Sequence, residues 1–387
     1  MSDLLMSSHD IPLYGFLRFL VVEEFKANHP LLNLKAVASS FRRDKISSAF
    51  YPDQPVCAMF CPMLVLCEKD IHQLVNFAEL IETLKHAHIQ FSTGKAVMPV
   101  RLVVPLPEIN GRITSMPAYL SDDKALGMKV VTFFPENPKR NLPIILATIN
   151  LYSSETGKLL AVMDGTYITA IRTASTSAMA TNALANPETP VLGVLGAGVQ
   201  ARAHIQALSK VRRISQIQVY DLFANAAQEL KQEMGPQVGV RIEVVGSAEE
   251  AVRGADLLVT VTTAKDPIIN SDWLKPGVHI NAIGSHRPDL REIDPQTLKR
   301  ATVYVDSREA IMAECGDILL AIREGAITEG HIAGEIGEVL AGKKAGRTRA
   351  DEVTLYKAVG IAIQDVATAR LVYDKAVQQR VGTNVEI

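Results

Sequence analysis

The stretch VLGVLGAGVQARAHIQAL, residues 191–208, runs five mostly apolar residues into a glycine turn and on into a helix-like pattern. Gly196 and Gly198 follow the strand-like VLGVL, and Ala201 takes the third position of G-x-G-x-x-G/A at the head of the helix. The first glycine permits a tight turn, the second lets backbone approach a pyrophosphate, and the helix N-terminus offers N–H groups to its charge. A lone match of this kind is also what an ordinary strand-to-helix turn produces, so its surroundings decide the reading.

Downstream the surroundings agree. Strand-like runs at 217–221, 241–245, 256–262, 278–284 and 302–306 alternate with helical patterns near 199–211, 223–233 and 247–253, which predicts a parallel, doubly wound α/β sheet. The run IQVYD ends at Asp221, the distance past the turn at which an acid hydrogen-bonds the adenosine ribose hydroxyls. A carboxylate there repels a 2′-phosphate, and Leu222 and Phe223 supply no arginine to hold one, so NADH is favoured over NADPH.

Upstream, PETP (187–190) reads as a breaker and a domain boundary. Before it lie an amphipathic helix over 70–87, β-rich runs at 97–107, 113–121, 125–135, 142–153 and 157–165, and an Ala-rich helix over 166–186. The tail, 351–379, reads as one long helical pattern. These segments predict a Rossmann-type domain over 188–324, inserted in a second α+β domain for substrate and dimerisation made of 66–187 with 325–387. Residues 1–65 show no clear period and form an amino-terminal extension of uncertain order.

With 48% hydrophobic residues, 21% charged and a net charge of −2, the chain of 387 residues has the composition of a soluble globular protein of two or three domains. Nothing in that balance points to nucleic acid. The longest apolar runs, 11–22 and 56–67, are too short to span a bilayer. The first ten residues carry no Lys or Arg, so no export signal is read and the expected location is the cytoplasm. Cys57, Cys61, Cys67 and Cys315 lack metal-site spacing and are expected as reduced, buried thiols, with no bound metal.

A ligand of such a sheet lies at the carboxyl ends of its strands, which makes TTAKDP (262–267) and GSHRPD (284–289) candidates to line the cleft. His286 is either a proton donor or an ordinary loop histidine. Arg101 and Lys129 are cations inside apolar strand runs, so each needs a carboxylate partner, a ligand or an exposed face. Arg172 stands near the start of its helix, where a cation opposes the dipole unless an anion is present; a pyrophosphate or a substrate carboxylate fills that role.

With MPVRLVVP, SMPAYL, LAVMDGTYITAIRTAS, GVLGAGVQARAH, NAIGSHRPDLREID and YVDSREA in order, the chain resembles the ornithine cyclodeaminase and mu-crystallin family from about Leu66 to Lys375, and its ketimine reductases most. The resemblance implies a homodimer and an NADH- or NADPH-dependent reduction of cyclic ketimine carboxylates, such as piperideine or pyrroline carboxylates or sulfur analogues. It implies that Arg101 and Arg172 bind the substrate carboxylate and that Lys129 is the acid/base group. Thr173, Gly198, Val199 and Gln200 would contact the cofactor phosphates, and Thr262 would lie along the cofactor. Cyclodeaminases of the family carry an aspartate where His286 stands, which weakens that activity as a reading. NADPH-preferring relatives have Asn then Arg at the position of Asp221. Ornithine cyclodeamination, alanine-type dehydrogenation and a thyroid-hormone (iodothyronine) carrier are the other readings the resemblance leaves.

Overall fold

The computed structural model describes residues 62–386. The chain enters on β1 (Met63–Leu66) and passes through α1 (Glu68–Leu74) and α2 (Phe77–Ser92). One helix was expected over 70–87. The pattern instead breaks at Val75, whose backbone is extended, and the Asn76 side chain caps α2 by accepting from the Glu79 amide at 3.0 Å. Cys67, expected to be buried, is exposed at the head of α1, where its amide and thiol both donate to Asp70. Cys315 is buried as expected; Cys57 and Cys61 lie outside the described residues.

The first sheet follows: β2 (Ala96–Val97), β3 (Leu102–Leu106), β4 (Gly111–Leu120), β5 (Ala125–Phe133), β6 (Ile145–Ser153) and β7 (Leu159–Asp164). Its order is β16-β1-β7-β6-β5-β4-β2, with β3 also on β4 and β16 (Thr383–Val385) supplied by the other end of the chain. Every pairing is antiparallel except β1 with β7. Because β1 starts at Met63, the sheet takes in residues assigned to the amino-terminal extension; the rest of that segment, residues 1–61, lies outside the described residues.

Next comes α3 (Gly165–Leu184), started by Asp164, whose side chain accepts from the Tyr167 amide at 2.7 Å. This helix packs on β6 of the first sheet and on strands of the second, so every residue from Ala170 to Thr181 is buried. Its alanines, serines and threonines are what let two layers approach it closely. An apolar stripe on one face would not serve a helix covered on all sides.

The second sheet uses β8 (Val191–Leu195), β9 (Gln216–Tyr220), β10 (Arg241–Val244), β11 (Leu257–Thr260), β12 (His279–Ala282), β13 (Thr302–Val305), β14 (Ile332–Glu335) and β15 (Thr354–Lys357). Its order is β10-β9-β8-β11-β12-β15-β13-β14, all parallel. The expected Rossmann-type domain is present, with its direction of winding reversing between β8 and β11, where α4 (Val199–Val211) begins.

Two boundaries differ from expectation. β14 and β15 belong to this sheet although 325–387 was grouped with the first domain. The tail is likewise a strand followed by α11 (Ala362–Gln379), counted after α5 (Ala224–Val238), α6 (Ala248–Val252), α7 (Pro295–Arg300), α8 (Arg308–Glu314), α9 (Gly316–Arg323) and α10 (Ile336–Leu340). Thr354-Leu355-Tyr356-Lys357 is buried on both faces, and a short run of this kind does not alternate, so periodicity cannot separate it from helix. α11 does pack back on the first domain, against β4, β5 and α2. No helix among the described residues is long and apolar enough to cross a membrane.

Candidate active site

A cavity of about 440 Å³ opens between the first sheet, α3 and the carboxyl edge of the parallel sheet. Arg101, Lys129, Arg172, Thr173, Gln200, Thr262 and His286 all line it; Gly196, Gly198, Val199 and Asp221 form the neighbouring turn. Both segments singled out as cleft candidates contribute, through Thr262 and Thr263 and through Gly284, His286, Arg287 and Pro288.

Lys129 sits on the inward face of β5 with Ala125 and Gly127, as a period of two dictates. Gly127 is where α11 comes close: a Cβ there would stand 3.2 Å from Val366. That approach brings Asp365 to the lysine. Lys129 Nζ lies 2.8 Å from Asp365 Oδ2, with side chains 2% and 0% exposed, and 3.4 Å from the Thr169 hydroxyl. Burial lowers the Lys129 pKa to about 7; Asp365 opposes the shift, while Arg172 and Arg101 add to it. The lysine is therefore poised to gain or lose a proton near neutrality.

Arg172 lies about two turns into α3, not in its first turn. Its counter-charge within the protein is Asp365, whose Oδ1 accepts from Nε at 3.0 Å. Nη1 donates to Gln364 Oε1, and Gln364 Nε2 reaches His88 Nε2 at 3.2 Å. His88 is fully buried, which drops its pKa to about 3 and keeps it neutral as an acceptor. Arg101 finds a carboxylate too: Nε is 2.9 Å from Glu314 Oε1, and Nη2 donates to the carbonyls of Val359 and Gly360. Neither Arg101 nor Lys129 lies on an exposed strand face.

His286 Nδ1 is 2.9 Å from the Gly284 carbonyl, and its ring meets Phe133 edge-on. Burial, with Arg112 and Arg101 nearby, lowers its pKa to about 4, so it is neutral and offers no negative charge.

Several residues escaped the sequence reading. Asp365 and Gln364 are a polar pair in an otherwise apolar helical stretch, which was the available signal. Arg112 lines the cavity with its guanidinium 4.5 Å from the Phe133 ring centre. Glu292, fully buried, accepts from the Thr262 amide and hydroxyl and the Thr260 hydroxyl at 2.7 Å and from the Gly284 amide at 2.8 Å. It thereby ties together the two loops that border the cavity.

The turn fits a dinucleotide. Gly196 has φ +105°, and a Cβ there would meet the Val261 carbonyl at 2.9 Å, so only glycine suits it. At Gly198 a Cβ would meet nothing within 4 Å: its backbone faces open space at the head of α4, the approach a pyrophosphate requires. The Asp221 carboxylate accepts from the Ala197 amide at 2.7 Å and the Phe223 amide at 2.8 Å, which sets it at the edge of that turn.

A dinucleotide turn beside a basic cavity with a buried lysine marks a nicotinamide-dependent oxidoreductase. The chain belongs to the ornithine cyclodeaminase/mu-crystallin family, whose model matches residues 62–380. It is 39% identical over 316 residues to the ketimine reductase mu-crystallin of Mus musculus, covering 81% of this chain and 97% of the relative. It is 36% identical to a Delta(1)-pyrroline-2-carboxylate reductase of Bacillus cereus, covering 84% of this chain and all of the relative. The solved structure of the Thermococcus litoralis Delta(1)-pyrroline-2-carboxylate reductase in complex with NADH and L-proline superposes with TM-score 0.82 at 43% identity, over 84% of this chain and 100% of that one. An archaeal alanine dehydrogenase dimer with bound NAD gives 0.80 at 35% identity, over 84% and 99%.

Proposed function

We propose that the protein is an NAD(P)H-dependent reductase of cyclic ketimine carboxylates, converting them to saturated cyclic amino acids. The observation that carries this reading is the buried Lys129–Asp365 pair in a cavity bordered by the dinucleotide turn and by Arg101 and Arg172. Gly196, Gly198, Val199, Gln200 and Thr173 hold the cofactor's phosphate end, Asp221 the adenosine ribose, and Thr262 the stretch leading to the cavity. Bound there, the reduced nicotinamide supplies hydride to the carbon of a C=N bond.

The protein's own part is the proton and the orientation. The Lys129 ammonium holds a proton at the imine nitrogen, which must carry one to accept hydride at carbon. Arg101 and Arg172 orient the carboxylate, since planar guanidinium groups fix it better than a point charge does. The carboxylate of Asp365 keeps the lysine aimed and sufficiently basic to be recharged from solvent.

NADH is the preferred cofactor on the strength of Asp221. The neutral His286 places no negative charge beside a distal ammonium, so cyclodeamination is the weaker reading. An iodothyronine carrier needs an anion anchor but no buried lysine held near neutrality, and it too has less support. The protein is a homodimer in this reading: Leu102, Val104, Ile109, Leu142 and Leu146 leave an exposed apolar strip along the first sheet, which a second copy would cover.

The test is oxidation of NADH and of NADPH by the purified protein with Δ1-piperideine-2-carboxylate and Δ1-pyrroline-2-carboxylate, with molar mass measured by light scattering. Turnover faster with NADH, in a dimer, is expected. Dinucleotide binding without turnover of either ketimine would sink the reductase reading.

A further inference from the structure

The strands β13 and β15 are neighbours in the parallel sheet, in register from Thr302 with Thr354 to Val305 with Lys357. They end side by side, so the first residue beyond β13, Asp306, stands against the first residues beyond β15. The Asp306 amide continues the ladder by donating to the Lys357 carbonyl at 3.2 Å. Its carboxylate, fully buried, turns back on the neighbouring loop. Oδ2 accepts from the amides of Val359 at 3.0 Å and Gly360 at 2.8 Å, and Oδ1 from the Ser307 amide at 2.9 Å.

The same two residues face the cavity with their carbonyls. Val359 and Gly360 accept from Arg101 Nη2 at 3.1 and 2.6 Å. Gly360 also abuts the other anchor: a Cβ built on it would lie 2.6 Å from Arg172 Nη1, and its φ is +77°. One short loop thus has the Asp306 carboxylate behind it and both guanidinium groups in front. Satisfying buried amides is the minimal role for such an acid. Here the backbone it fixes is the surface on which two cations rest, so a loop that shifts carries the cations with it.

We propose that Asp306 is a positioning residue for substrate binding: by clamping Val359 and Gly360 it sets the placement of Arg101 and Arg172, and hence the affinity for the substrate carboxylate. This rests on the reductase reading above. The dinucleotide turn lies at the other strands' ends and is untouched by the clamp, so the effect falls on one substrate only.

The experiment measures KM for Δ1-piperideine-2-carboxylate, KM for NADH and kcat in Asp306→Ala, Asp306→Asn and Gly360→Ala, with thermal melting to establish folding. Asp306→Ala raises the ketimine KM about tenfold or more while the NADH KM stays within about twofold. Asp306→Asn keeps an oxygen for the two loop amides and recovers most of the affinity. Gly360→Ala crowds Arg172 with Asp306 intact and raises the ketimine KM alone, which keeps the test alive if Asp306→Ala does not fold. A folded variant with unchanged ketimine KM, or both KM values rising together, overturns the proposal. A wild type that turns over no ketimine sinks the reductase reading instead. The clamp is then read from the melting shift induced by L-proline, present in the wild type and reduced in the variants, or equal in both and the proposal lost.

Discussion

The dinucleotide turn and the floor of the cavity border one site but use opposite electrostatics. At the turn the working groups are backbone amides at the head of a helix and one partly exposed carboxylate, Asp221. On the floor they are buried ions: Lys129 and Arg172 share Asp365, which is itself fully buried. Partial charges on amides cost a fold little, because they are there in any helix. Buried ions carry a desolvation cost that only their partners offset. A change at the turn should therefore stay local, whereas a change on the floor should spread to every ion that shares a partner.

The sharpest way to separate the two regions is to remove the one floor group that handles the proton. Lys129→Met deletes the acid and leaves the turn intact, so kcat/KM for the ketimine should fall by about 10²- to 10⁴-fold with NADH affinity unchanged. NADH fluorescence on binding and steady-state turnover read the two sides. Near-normal turnover in that variant would remove the lysine from the mechanism, and lost NADH binding would show that the regions are not separable.

Asp365→Asn tests how far a floor change spreads. Two buried cations would lose their common counter-charge, and breaking such a partnership costs about 3–5 kcal/mol, which a lowered melting temperature would report. A pH profile adds a second reading. Lys129 acts as an acid only while protonated, so kcat/KM in the wild type should hold below about pH 7 and decline above it. Burial holds that pKa down and Asp365 holds it up, so in Asp365→Asn the decline should begin at lower pH. A profile with the same limb in both proteins would mean that the titrating group is not Lys129.

The same contrast explains what could be read from residues alone. Gly196, Gly198, Ala201 and Asp221 are close in sequence, and a turn, a helix start and the next strand's end are all local events. The parallel sheet announced itself for the same reason, down to the span of β8. The floor is assembled from β5, α3 and α11, so Lys129 and its counter-ion Asp365 are more than two hundred positions apart. The sequence could state that Arg172 needed an anion and that Lys129 needed a partner unless its strand face was exposed; it could not name the residue that supplies the charge. For Arg172 the sequence points to a ligand as the anion because the residue reads as standing near the helix start, whereas it lies about two turns in, within reach of Asp365. β15 was missed because four buried residues on two covered faces carry no period, and the domain boundary at 325 went wrong with it. Asp306 and Glu292 were silent for a related reason: their work is to hold backbone amides, and an amide partner leaves no mark on the sequence.

The smallest effect belongs to the turn. Asp221→Asn lifts the repulsion of a 2′-phosphate but adds no cation, because Leu222 and Phe223 beside it are exposed apolar side chains. One of the two amides that Asp221 now receives, from Ala197 or Phe223, would face the new NH2 group, so some NADH affinity goes as well. The ratio of kcat/KM with NADPH to that with NADH should rise about tenfold, roughly 1.4 kcal/mol, while melting temperature and ketimine KM hold steady. An unchanged ratio would take cofactor choice away from Asp221. A falling melting temperature would instead show that the carboxylate's grip on the Ala197 amide holds the turn together, making this region less local than its amides suggest.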